Sequence, residues 1–383
     1  MAGRAKMPGL KLDIPPMHRV DSFSFSDSDS GHASYSFNAT ETDGTPTVVT
    51  IPQQGEMLGF RLSDFIMGPE LGRGEGGGVI LALHKATNTQ YALKEISIGA
   101  QSTRHQLAKE MQMHKDCGRM PHIVQLFDVF YEEGRVYLVL ELMDWGSLET
   151  LLKLQLQEVP PRRMDEGVLA VVMHRTLSAL RFLHEEHKII HRDLKPGNIV
   201  IDCRGVVKLS DFGVSRALDN EAKGLSWVGT ASYMSPERLQ GAEYSHKADV
   251  WSLGIIALEC AIGRHPYLRE DGAETVFFEL MQQVVIEPAP IPQGSSLSPA
   301  LVDFIQCCLA KEEHQRASAA QLLHHPFLQM HAHQGDALIV QWLSTFRRPP
   351  LYDNDGTDML GPLSLPDVNV TDPTSGDAAM SDI

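Results

Sequence analysis

Residues 190–213 read IHRDLKPGNIVIDCRGVVKLSDFG, with Asp193, Asn198 and Asp211 at fixed spacing. Two short β-rich runs, Ile199–Asp202 and Val206–Leu209, lie between the last two, and Cys203-Arg204-Gly205 separates them as a hairpin turn. A hairpin returns the chain to its starting edge. Asn198, just before the first strand, and Asp211, just after the second, therefore end side by side, and Asp193 faces the same spot from one short loop earlier. Two oxygen ligands and a third carboxylate at one end of a hairpin suit a magnesium–phosphate site, because Mg²⁺ takes hard oxygens and keeps positions for phosphate. Taken singly, each Asp reads equally well as a solvated or capping loop residue. The string as a whole is the informative object.

That string matches the catalytic loop H-R-D-L-x-x-x-N followed by D-F-G, and on it the chain resembles a protein kinase. The resemblance implies an α+β, bilobal fold: a small β-rich N-lobe with one main helix and a larger, mostly helical C-lobe. It also implies ATP and Mg²⁺ as cofactors. In that reading Asp193 orients the acceptor hydroxyl and takes its proton. Lys195 neutralises the γ-phosphate, and Asn198 and Asp211 hold the metal. His191 is structural, donating a hydrogen bond behind D-F-G.

Upstream, Gly72-Arg73-Gly74-Glu75-Gly76-Gly77-Gly78-Val79 is a glycine turn between strands. A dinucleotide fold would need a helix directly after the glycines; instead Val79–Leu83 continues as a strand. A glycine-tipped hairpin can approach phosphates closely because no Cβ intervenes. Gly72, Gly74 and Gly77 hold the family's glycine positions, while Gly76 departs from the usual larger tip residue. Lys94 lies in an apolar strand, where a buried ammonium needs a partner. The family partner is a glutamate on the next helix, here Glu110, after a capping box at Thr103-x-x-Gln106. The rival reading is a solvated Glu110 paired with His114. His114 stands where kinases place an apolar residue that links this helix to the Phe of D-F-G, here Phe212. Val136–Leu140 is a buried strand leading to a hinge at Glu141-Leu142-Met143, with Leu140 as gatekeeper. The resemblance thus builds an ATP site from Leu71, Gly72, Gly74, Gly77, Val79, Ala92, Lys94, Glu141, Met143 and Asn198.

Beyond Leu225 the chain is expected to be mostly helical. Ser235-Pro236-Glu237 resembles A-P-E, with Arg316 as the buried ion-pair partner of Glu237, and Asp249 would brace the catalytic loop. The longer string Ser226–Gly241 (SWVGTASYMSPERLQG), with Met143–Leu148 and the LLHHPF stretch at 322–327, closely resembles the mitogen-activated protein kinase kinases. Thr230 within it fits Ser/Thr transfer. The resemblance implies a dual-specificity enzyme that phosphorylates Thr and Tyr in a downstream kinase's T-x-Y loop. A plain Ser/Thr kinase and a kinase-fold scaffold are the rivals. Members usually carry two phosphorylatable residues in this loop. Ser226 matches the second, while Ala222 and Asn220 occupy the two places of the first, so Ser226 paired with Arg192 is expected to act alone.

The termini differ in composition. Arg4 and Lys6 precede Leu10-Lys11-Leu12, which fits a docking peptide for a downstream MAP kinase. Residues 21–46 are rich in Ser and Asp and read as a solvated linker. The expected divisions are 1–58, a disordered extension with the docking peptide; 59–143, N-lobe; 144–328, C-lobe; 329–349, a docking extension for an upstream kinase; and 350–383, an acidic tail. Seven aspartates and no Lys or Arg follow Pro350, part of a formal net charge of −16 that argues against nucleic acid as a partner. Five cysteines in no framework spacing point to a reducing compartment, the cytoplasm or also the nucleus. No apolar run is long enough to span a bilayer.

Overall fold

The computed structural model describes residues 23–28, 32–40, 46–52, 59–74, 77–97, 117, 120–157, 163–211, 229–267, 276–292, 297–331 and 335–347. Glu110, His114, the Thr103 capping box, Gly76, Phe212, Ser226, the docking residues Arg4, Lys6, Leu10 and Leu12, and the acidic tail lie outside them.

The chain divides into two units, at Met57/Leu58. The first holds β1 (Phe23–Ser28), β2 (His32–Thr40) and β3 (Pro46–Pro52), an antiparallel meander in sequence order. Residues 21–46, read from composition as a solvated linker, overlap β1 and β2. Ser and Asp set the composition, but F-S-F-S and Y-S-F alternate with period two, and the register sets Phe23 opposite Phe37, Phe25 opposite Tyr35 and Tyr35 opposite Ile51.

In the second unit, β4 (Phe65–Gly74), β5 (Gly77–His84), β6 (Thr89–Ser97), β7 (Leu126–Glu132) and β8 (Arg135–Glu141) form one antiparallel sheet, order β4-β5-β6-β8-β7. Phe60, Phe65, Tyr91, Phe130 and Tyr137 pack on one face with Leu93 and Val139. The buried Asp128 anchors the entry to this sheet by accepting from the Phe60 N–H at 3.1 Å.

After the hinge come β9 (Gly146–Ser147), α1 (Leu148–Gln157) and α2 (Glu166–Arg181). Asp165 caps α2, its side chain accepting from the Gly167 N–H. The helix starts at Glu166 and closes in a π turn at Phe182–Glu186. The catalytic hairpin is β10 (Ile199–Ile201) against β11 (Val207–Leu209), with Ile199 opposite Leu209. Helices follow: α3 (Pro236–Leu239), α4 (Lys247–Ile262), α5 (Phe277–Met281), α6 (Pro299–Cys308), α7 (Ala319–Leu322), α8 (Pro326–His331) and α9 (Gly335–Leu343). Buried all round, α4 is the axis of this core, with Trp251, Leu253, Ile255, Ile256 and Leu258 inaccessible to solvent. At Gly254 a Cβ would fall 2.6 Å from Cys308 Cβ, so glycine is what lets α6 pack against α4. Among the described residues, no helix is long and apolar enough to cross a membrane.

Candidate active site

The hairpin closes as its sequence requires. Asn198 ends a 3₁₀ turn before β10, and Ser210, after β11, donates its N–H to the Asn198 carbonyl at 2.9 Å. Asp211 follows with a positive φ of 49°, and Arg192 in the loop has φ 70°. Both are strained positions for residues with a Cβ, the kind that persists where surrounding contacts over-determine the backbone. Those contacts are on hand. Asp249 of α4, fully buried, accepts from the backbone N–H of His191 (2.8 Å) and of Arg192 (2.9 Å), and from His184 Nε2 (2.8 Å). Burial pushes the Asp249 carboxyl up, but the His184 hydrogen bond, the two imidazoles and the backbone donors outweigh it and hold it below the ordinary range. Arg238 of α3 donates to the Arg192 carbonyl at 2.6 Å.

His191 accepts the Asp193 N–H at Nδ1 (3.3 Å), so its proton sits on Nε2, which donates to the Ser210 carbonyl at 3.1 Å. One ring therefore ties the loop carrying Asp193 to the residue before Asp211. The Asp193 carboxylate is 2.9 Å from Lys195 Nζ. Asn198 Nδ2 donates to the Asp193 carbonyl (2.7 Å) and carboxylate (3.1 Å), which commits the amide nitrogen and keeps Oδ1 as the acceptor able to take a cation. With the Asp211 carboxylate this donor set fits a hard divalent ion bound through few protein oxygens, the rest supplied by phosphate and water.

Lys94 enters from the other lobe. Its strand pairs Lys94 with Val79 on one side and with Leu138 on the other. Its ammonium meets Asp211 Oδ1 at 2.5 Å. The partner expected from resemblance was Glu110, outside the described residues. Gly77, with φ 145°, packs so closely that any Cβ would collide with the Glu95 carbonyl of β6. The glycine turn is thus fitted onto the strand that carries Lys94.

At the hinge, the Glu141 N–H donates to the Gln125 carbonyl and the Met143 carbonyl accepts from the Gly146 N–H, each at 2.9 Å. These two bonds occupy the Glu141 N–H and the Met143 carbonyl at the hinge. The Glu141 side chain serves another purpose. It pairs with Lys208 of β11 at 2.6 Å, across the hinge. Sequence reasoning missed Lys208, although the signal was there: a lysine inside the apolar run VVKL needs a buried partner for the same reason as Lys94.

Glu237 and Arg316 form the expected pair, bidentate at 2.7 and 3.0 Å. Arg316 is 1% exposed, donates also to the carbonyls of Lys247 and Ala310, and lies over the Trp251 ring.

The protein kinase domain family matches residues 65–328. The chain belongs to the mitogen-activated protein kinase kinases. Mitogen-activated protein kinase kinase 2 of Arabidopsis thaliana is 40% identical to it over 279 residues, 72% of this chain and 75% of the relative. Mitogen-activated protein kinase kinase 1c of Physcomitrium patens is 38% identical over 86% of this chain and 96% of its own length. The kinase is also 36% identical, over 68% of its length and 69% of the relative, to the dual specificity mitogen-activated protein kinase kinase dSOR1 of Drosophila melanogaster. Membership brings ATP and a divalent metal to the cleft described above.

Proposed function

We propose that this kinase transfers the γ-phosphoryl group of Mg-ATP to Thr and Tyr in the T-x-Y loop of a downstream MAP kinase. The observation that carries the reading is the convergence of Lys94 with Asp211, and of Asn198 and Lys195 with Asp193, at one end of the β10–β11 hairpin. Phosphoryl transfer asks for placement and charge neutralisation more than for covalent help. Asp193 accepts a hydrogen bond from the acceptor hydroxyl and takes its proton. Lys195, already beside Asp193, meets the charge on the transferred group, and Lys94 holds the α- and β-phosphates. Mg²⁺, when bound at Asn198 and Asp211, offsets the remaining phosphate charge. Transfer to two kinds of hydroxyl is in keeping with the Drosophila relative, a dual specificity mitogen-activated protein kinase kinase. Mapping the sites on a catalytically dead MAP kinase tests it: phosphate on both residues is expected, and phosphate on Thr alone leaves a Ser/Thr kinase, the reading that the Lys195–Asp193 contact also fits.

Control rests on Ser226, whose phosphate pairs with Arg192 and orders the loop. After treatment with an activating kinase, Ser226→Ala should stay at the basal rate; activation equal to wild type rejects a single-site switch. Residues 4–14 dock the MAP kinase, and residues 329–349 receive the upstream kinase. The cytoplasm, with the nucleus, is the proposed location.

A further inference from the structure

The segment Gly229–Met234 borders the catalytic loop. Its Tyr233 hydroxyl donates to Glu259 Oε2 of α4 at 2.7 Å, and its Tyr233 carbonyl accepts from Ser252 Oγ at 2.7 Å. Glu149 of α1 perturbs both Tyr233 and Glu259, and its carboxylate lies 3.2 Å from where a Cβ on Gly197 would stand, next to Lys195-Pro196. The helix that directly follows the segment, α3, reaches the catalytic loop through Arg238 and the Arg192 carbonyl, so a macromolecular acceptor seated at Asp193 on this side would lie against the segment.

His265, in the turn after α4, holds the segment from behind. The ring is buried, as is Ser232. Its Nδ1 accepts the Tyr267 N–H at 3.1 Å, so the proton is on Nε2. That N–H faces Ser232 Oγ at 2.9 Å, and the Ser232 hydroxyl spends its one proton on the Gly229 carbonyl at 2.7 Å. The chain of donors runs one way, from Tyr267 through His265 and Ser232 to Gly229, with each group used once. The ring also meets Tyr233 edge-on, centroids 4.8 Å apart at 89°. We propose that His265 is a positioning residue for the acceptor side of the cleft: its Nε2–H sets the Ser232 hydroxyl, which fixes the turn at Gly229 and so the path of Gly229–Tyr233 beside the catalytic loop. Burial holds the imidazole down to about 3, so it stays neutral and the donor direction does not change across the assay range. The ring reaches neither phosphate nor acceptor. A phenylalanine would fill the same space and keep the edge contact, but would leave Ser232 without its donor.

The inference rests on kinase activity, not on the identity of the acceptor. The test therefore uses casein beside a catalytically dead MAP kinase. Full-length wild type, His265→Phe, His265→Gln, Ser232→Ala and the His265→Phe/Ser232→Ala double variant, all given the same activating treatment, are compared for acceptor KM, Mg-ATP KM and melting temperature. His265→Phe and Ser232→Ala should each raise acceptor KM about tenfold, the equivalent of one lost hydrogen bond. Mg-ATP KM should stay within about twofold, because Lys94 and the hinge are untouched. The double variant should be no worse than either single one, since both remove the same relay, and His265→Gln, which keeps an N–H donor, should recover most of the loss. An unchanged acceptor KM in Ser232→Ala overturns the proposal even if His265→Phe does not fold. So does a rise in acceptor KM that His265→Gln fails to relieve, or one matched by Mg-ATP KM and a fall in melting temperature, since packing alone would produce it.

Discussion

Glu259 shows how far one buried group can depart from its free behaviour. It accepts from Tyr233 on the inner side of α4, and burial, with Glu149 adding to it, pushes its carboxyl up to about 7. An acid raised from 4.5 to about 7 contributes most to stability while it is protonated in both folded and unfolded chains, below about pH 4.5. That contribution falls away as pH rises through 7, where the folded state must either ionise a buried carboxyl or keep its proton at increasing cost. The difference amounts to roughly 3 kcal/mol between pH 4.5 and 8. Glu259→Gln keeps an acceptor for Tyr233 and removes the ionisation. Its stability relative to wild type, from urea unfolding, should therefore improve steadily from pH 5 to pH 8. A difference that stays flat with pH would show that Glu259 is not protonated in the folded protein. At the catalytic residues the expectation is plainer. Asp193→Asn should lower kcat by about 10²–10⁴, the range for losing a positioned proton acceptor, with Mg-ATP KM little changed. The roles of Asp193, Asn198 and Asp211 were legible in the sequence because their spacing is short and a hairpin lies between them. The roles of Ser232, His265 and Glu259 were not, because their partners lie 26 or more residues away and a lone His or Glu in an apolar helix or turn carries no spacing signal.

At the scale of elements, the β8 end and β11 are joined by Glu141 and Lys208, whose side chains are 17% and 12% exposed. The pair ties the hinge strand to the strand leading into Asp211, and the Glu141 carboxylate also accepts the Gln125 N–H at 3.3 Å. Removing one partner leaves a poorly solvated charge, which costs about 3 kcal/mol where such pairs are buried. Lys208→Met and Glu141→Gln should each destabilise the kinase, and the double variant should recover part of the loss. A double-mutant cycle by thermal unfolding measures the coupling; strict additivity would mean the two side chains act separately in solution. Ser298 and Ser318 cap α6 and α7, a local signal for a helix start that the sequence reading, which took the region only as mostly helical, did not use. The π turn after α2 carries no such signal, because it depends on how Phe182–Glu186 meets the core and not on local propensity.

For the whole molecule, the division of labour between lobes and extensions is the open quantity to measure. If residues 4–14 dock the downstream kinase, deleting residues 1–15 should raise KM for a MAP kinase substrate about tenfold or more, the gain expected from tethering two binding modules. Casein phosphorylation should be unaltered. Equal rates on the MAP kinase would remove the docking role while leaving the catalytic assignment in place. The three-stranded meander at residues 23–52 separates that peptide from the kinase domain in sequence. Composition reads as a linker there because Ser and Asp dominate the count, while the alternation of Phe and Tyr with Ser has the period of a strand.

By itself the sequence determined the local chemistry: a hairpin with Asn198 and Asp211 at one end, a glycine turn before Lys94, and, through its resemblance to the kinase family, Glu237 paired with Arg316. Such signals survive in one dimension because each is a short pattern or a buried charge that has to be matched. Only the tertiary structure decided that Lys94 meets Asp211, that Glu141 turns its side chain to Lys208 while its N–H meets the Gln125 carbonyl, and that His265 reaches Ser232. Those pairings join residues far apart in the chain. They are chosen by how the two lobes and α4 pack, a choice made by the summed burial of apolar surface and not by any single stretch of residues.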